Sequence, residues 1–185
     1  MALALRELLA VPGVYPDDRE LPALALALVV ARKFEQDPVR QAMFETLARW
    51  PRRVWRAEHL PAVAQALRDM LDAADCSSST ARAAEQLVIR LIAVDATWAA
   101  TWFATLIKER GVLYDPRLGA KLTDADLAAA GPGLLAIART WIKQERLAWL
   151  ALFADSLGRR LPSVPGMVDA VVLARADRAI DIATW

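Results

Sequence analysis

Leu87-Val-Ile-Arg-Leu-Ile-Ala-Val-Asp-Ala-Thr-Trp-Ala-Ala-Thr-Trp-Phe-Ala-Thr-Leu106 is the stretch on which the reading of the fold turns. Leu87, Leu91, Val94, Trp98, Trp102 and Leu106 recur at steps of three or four, the spacing of one buried helical face. The pattern runs through Asp95 without a break, so it predicts one long helix over 80–110. Ile137, Trp141, Ala148, Trp149 and Leu152 repeat the pattern and predict a second long helix over 134–157. These two helices are the expected spine of an all-α fold.

The flanking sequence is punctuated in the same sense. Pro22, Pro38, Pro61 and Pro165 each precede a run of helix formers, where a first-turn proline loses no hydrogen bond. Asp37 is expected to cap one helix, Ser79 or Thr80 another, and Thr123 with Asp126 resembles a capping box. Gly111, Gly131 and Gly158 read as C-terminal stops. Gly131-Pro-Gly133 reads as a turn between helices, and 111–123 as the one sizeable loop. The remaining helices are predicted over 2–10, 19–35, 38–50, 60–75, 124–130 and 166–182. The fold class is therefore an irregular bundle of about 7–8 helices in a single domain, 1–185. An alternative is a short array of HEAT-like two-helix repeats. Leu21-Pro-Ala-Leu-Ala-Leu-Ala-Leu28 matches Leu60-Pro-Ala-Val-Ala-Gln-Ala-Leu67 at six of eight positions, and a period near 40 suits such repeats.

Composition narrows the function classes. The 185 residues are 56% hydrophobic, above the ~45–50% usual for globular chains. The 23 Lys+Arg nearly balance the 22 Asp+Glu, so no global field draws the chain to a polyanion. The lone cysteine, Cys76, excludes an internal disulfide. Leu21–Ala31 is about half the ~20 residues a membrane span needs, and Asp95 interrupts the longer apolar run that ends at Ile107. No membrane span and a cytoplasmic location are the expectations.

The search for chemistry returns mainly absences. One histidine, His59, and one thiol cannot build a two-histidine HExxH site or a zinc ribbon. His59 opens the helix that Cys76 follows, about 25 Å away along the axis, which separates the only Cys–His pair. His59 is expected at the surface or at the helix start. No glycine-rich phosphate loop occurs. Asp69, Asp72 and Asp75 gather at a helix C-terminus, where the dipole disfavours them; they are expected to be solvated, as is Asp17-Asp18-Arg19-Glu20. No catalytic site, cofactor or metal is expected.

What stands out is Arg49-Trp-Pro-Arg-Arg-Val-Trp-Arg56, with four arginines and two tryptophans in eight residues. Arg49, Arg52, Arg53 and Arg56 can pair with phosphate or carboxylate, while Trp50 and Trp55 offer stacking faces. The same composition also suits a packed corner in which guanidinium groups lie over buried rings. Arg139, Lys143 and Arg146 form a second basic stripe at i, i+4 and i+7. Seven tryptophans suit both a core and the energetic centres of interfaces. The leading expectation is a non-catalytic helical protein-interaction module, a subunit or adaptor of a larger assembly with a protein partner. The alternative is a nucleic-acid-binding subunit using 49–56, extended by 139–146. The third is a small-ligand binder or enzyme with an apolar pocket between helices, marked by a cavity beside an acidic cluster. Oligomeric state is not set by these patterns.

Overall fold

The computed structural model describes residues 2–110 and 118–174. Among these residues every regular element is helical, in agreement with the all-α expectation. The chain divides into two compact units, 1–95 and 96–185.

The first unit holds α1 (Ala2–Val14), α2 (Leu21–Ala31), α3 (Asp37–Arg49), α4 (Leu60–Asp72) and α5 (Ser78–Leu91), with short 3₁₀ turns at Arg52–Val54 and Ala57–His59. Helices α2, α3 and α4 each carry a proline in the first turn, as the sequence predicts. Packing runs to the second neighbour: α3 lies against α1 and α5, and α2 lies against α4. This makes two rows, joined where α1 packs on α2. The matching starts at Leu21 and Leu60 thus belong to neighbours in one row. At the centre, α3 buries Val39, Met43, Phe44 and Leu47, the stripe expected of a core-facing helix. α5 buries residues on most of its surface, including Ala81, Ala84, Leu87, Val88 and Leu91. Small alanines let its backbone come close to its neighbours.

The second unit holds α6 (Ala96–Arg110), α7 (Leu118–Lys121), α8 (Asp124–Lys143) and α9 (Leu147–Leu157), a 3₁₀ turn at Gly158–Ser163, and α10 (167–174). Its core is built from Phe103, Leu106, Leu127, Leu134, Trp141, Phe153 and Met167. Phe153 meets Trp141 edge-on at 5.7 Å and Phe103 at 6.1 Å. The capping box is present: the Thr123 hydroxyl accepts from the Asp126 N–H at 3.1 Å, and the Asp126 carboxylate accepts from the Thr123 N–H at 2.9 Å.

Several expectations are corrected. The 80–110 helix is two, α5 and α6, separated by a turn in which the Val94 and Asp95 N–H groups both reach the Leu91 carbonyl. The turn residues Ile92, Ala93 and Val94 are apolar, so periodicity could not register it. Trp98 and Trp102 are half-exposed, and α6 instead buries Ala99, Ala100, Phe103, Leu106 and Ile107. The 134–157 helix also breaks, at Gln144–Arg146, where Glu145 takes a positive φ of 57°. Conversely, Gly131-Pro-Gly133 lies inside α8 rather than in a turn. The reason is tertiary: a Cβ on Gly133 would come within 2.8 Å of the Ala100 Cβ, so glycine permits the closest approach of α6 and α8. Gly158 does end α9, with φ of 54°. Ser77, not Ser79 or Thr80, caps α5 and accepts from the Thr80 N–H. The predicted 111–123 loop contains α7. Gly111 and the predicted helical stretch 175–182 lie outside the described residues.

Candidate functional site

The arginine–tryptophan corner is the first place to look. Pro51 cannot continue α3, and the chain leaves it through a 3₁₀ turn that returns Trp55 beside Trp50, ring centroids 4.8 Å apart. Both rings go inward: Trp50 is 1% and Trp55 5% exposed. The Trp50 indole N–H donates to the Leu9 carbonyl at 2.7 Å, which ties the corner to α1. Arg49, Arg52 and Arg53 are exposed and Arg56 is half-exposed. Arg49 and Arg6 each lie 3.8 Å from Glu45, on one side of a shallow groove between α1 and α3. The accessible chemistry of the corner is therefore guanidinium, not indole.

His59 completes the corner; it stands at the start of α4, one of its two expected positions, and is only 3% exposed rather than at the surface. Its Nδ1 accepts the Arg56 N–H at 3.2 Å, which assigns the neutral ring's proton to Nε2. Burial lowers the imidazole's pKa below the ordinary histidine value, and the Arg56 charge adds to this against the opposing pull of Glu58. The Nε2 proton and the Trp55 indole N–H have no hydrogen-bond partner. Edge-on packing of the two rings at 6.1 Å fills the space between them.

The acidic cluster at the end of α4 is not simply solvated, as expected for all three aspartates. Asp75 lies beyond α4 and accepts hydrogen bonds from the Asp37 N–H and from the Arg40 guanidinium. Arg40 is buried and also donates to the Glu35 carbonyl. The Asp37 carboxylate in turn accepts the Ser77 N–H at 3.0 Å, so it serves the start of α5 rather than capping α3. The Arg40 hydrogen bond is the main cause that holds the Asp75 carboxyl below its usual range. For Asp37, burial acts to raise the pKa, but the Ser77 and Thr80 hydrogen bonds and the Arg40 charge outweigh it. This network is a clasp between α3 and the α4–α5 turn. Among the described residues, no group of three or more His, Cys, Asp or Glu side chains could hold a metal ion.

In the second unit the basic stripe is divided by the break at 144–146. Arg139 and Lys143 lie exposed on α8, while Arg146 precedes α9 and sets its guanidinium 4.6 Å over the Trp149 ring. Beside them an open groove of about 530 Å³ runs between α6 and α8, with Thr140, Trp141 and Gln144 on one wall and Thr97, Thr101, Thr105 and Lys108 on the other. Periodicity could not find it, because its floor is made of alanines and Gly133.

A further surface was also missed. α2 contains no polar side chain, yet it buries only Pro22, Ala25, Leu26 and Val29. Ala23, Leu24 and Ala27 are exposed, Leu24 at 64%. On α1, Leu3 and Leu8 are 72% and 59% exposed, and Val14 and Tyr15 follow at its end. The signal is present in the sequence as an eleven-residue run without a charge, which sequence alone weighs only against the length of a membrane span.

Comparison with protein-family models, with curated proteins and with solved structures returns no match for this chain. No described helix is long and apolar enough to cross a membrane.

Proposed function

We propose that the chain is a non-catalytic helical interaction module that binds a protein partner through the exposed apolar side of α1 and α2. The observation that carries this reading is the composition of α2 set against its burial. A helix that is apolar all round belongs in a core, and here one side of it faces outward. Stacked helix pairs that end in solvent present a polar outer face. The α1–α2 pair is flanked by α3 and α4 and presents Leu3, Leu8 and Leu24, with Glu7 exposed beside Leu8. Apolar groups gathered this way mark sites of protein association. The exposed arginines of the corner supply charges that can orient a partner without the desolvation cost of a buried charge.

The nucleic-acid alternative drew on arginine–phosphate pairing and on bases stacking on Trp50 and Trp55; the arginines stay exposed, but the burial of both rings takes away the stacking part. The test is to place a photoreactive residue at Leu24 and, as a control, at exposed Arg82 on α5, then to cross-link in the native host. Adducts specific to Leu24 and lost in the Leu8→Glu variant are expected. Sedimentation of the purified chain separates a second copy from a different protein. Equal adducts at both positions, or none at Leu24 with a monomer in sedimentation, would overturn the reading.

A further inference from the structure

We infer that the groove between α6 and α8 is a binding site for a small amphipathic anion, one with an apolar body and a single carboxylate. Its volume of about 530 Å³ falls in the ~300–1,000 Å³ range of small-molecule sites. From Thr97 to Lys108 the wall spans roughly 16 Å at 1.5 Å per residue, the reach of a medium-length acyl chain.

The chemistry of the walls selects the ligand. The Thr101, Thr105 and Thr140 hydroxyls each donate to the carbonyl four residues earlier, at 2.9 Å. Their protons are occupied, so they present methyl groups and acceptor oxygens to the groove. At these three positions an anion finds no hydroxyl donor. Among the described residues, Lys108 is the one charged side chain lining the groove. Among the described residues the charges near the groove's lining residues in the chain are mixed: Arg139, Lys143 and Arg146 on the α8–α9 side against Glu145, and Glu109 and Arg110 beside Lys108. The balance is positive, which favours a negative group at the Lys108 position. Trp149 and Trp141 provide an apolar wall for the body of the ligand.

The experiment is calorimetric titration of the full chain with dodecanoate and, separately, with dodecylammonium, each below its micelle concentration, with tryptophan fluorescence read in parallel. Dodecanoate is expected to bind saturably at one per chain, at least about tenfold tighter than the ammonium, a factor worth ~1.4 kcal/mol. Lys108→Ala should weaken dodecanoate about tenfold and leave dodecylammonium unchanged. Thr101→Trp, which fills the groove from an exposed position, should abolish both while the unfolding midpoint holds. Equal binding of the two amphiphiles would overturn the proposal, as would a Lys108→Ala variant that binds dodecanoate normally. Co-sedimentation with phosphatidylglycerol vesicles without dodecanoate binding would assign the cations to a lipid surface and also overturn it.

Discussion

The chain brings arginine and tryptophan together in two places and uses them in opposite ways. At the 49–59 corner the indoles are core: Trp50 and Trp55 face each other inside, and the guanidinium groups point outward. At the start of α9 the ring is half-exposed, and Arg146 lies across its face at 4.6 Å. The difference comes from the turn. The corner has Pro51 and a 3₁₀ turn that folds the second tryptophan back onto the first. At 144–146 a left-handed Glu145 leaves Trp149 at the rim of a groove. The pairing of residue types does not say whether a ring is structural; the backbone between them does.

The largest effect that sharpens this contrast is on stability. Trp50→Ala should cost about 3–5 kcal/mol, the usual range for a fully buried tryptophan, whereas Trp149→Ala should cost well under half of that. Denaturant titration followed by circular dichroism measures both, and equal losses would break the comparison.

Gly133→Ala comes next. The added methyl meets the Ala100 methyl at 2.8 Å, and overpacking of this kind costs about 1–3 kcal/mol. Thermal unfolding should show the loss, and Ala100→Gly in the same chain should recover much of it.

A smaller effect follows pH, and the first unit holds the sole histidine. The His59 pKa is lowered on folding, so the unfolded chain binds more protons. Stability is fully present above the unfolded value of about 6.5 and declines as pH falls below it. Asp37 and Asp75 also have lowered pKa values, and as carboxylates they add a second loss below about pH 4. Unfolding midpoints between pH 8 and pH 3 should fall in these two windows, and His59→Gln should remove the upper one.

The smallest effect concerns the arginines. Arg52→Ala, Arg53→Ala and Arg56→Ala together should leave the helical circular dichroism intact and shift stability by no more than about 0.5 kcal/mol per site. Binding to a single-stranded oligonucleotide, read by anisotropy at low and physiological salt, is expected to be absent in the parent. Salt-sensitive binding that the triple variant loses would return the corner to nucleic acid.

How much was legible varies from element to element. Helix starts at Pro22, Pro38 and Pro61 could be read because a first-turn proline acts through its own covalent ring. The Thr123–Asp126 box could be read because it closes within four residues. The turn at 92–95 and the passage of α8 through Gly131-Pro-Gly133 could not. One is built from apolar residues that mimic a helix face, and the other depends on how near α6 lies. The corner was found with both directions open for its rings, packed inside or offered for stacking; the structure buries both, which the packed-corner reading expects. The α2 face was overlooked because an apolar run looks the same whether or not something covers it.

The amino-acid sequence by itself determined that the chain is helical, where most helices begin, and that its histidine and cysteine chemistry is confined to one residue of each. These follow from local backbone preferences and from counting. Only the tertiary structure decided that Trp50 and Trp55 are core, that Arg40 clasps Asp75 across 35 residues, and that α6 and α8 frame a groove over Gly133. Burial and close approach depend on which surfaces meet, and residues far apart in the chain settle that together.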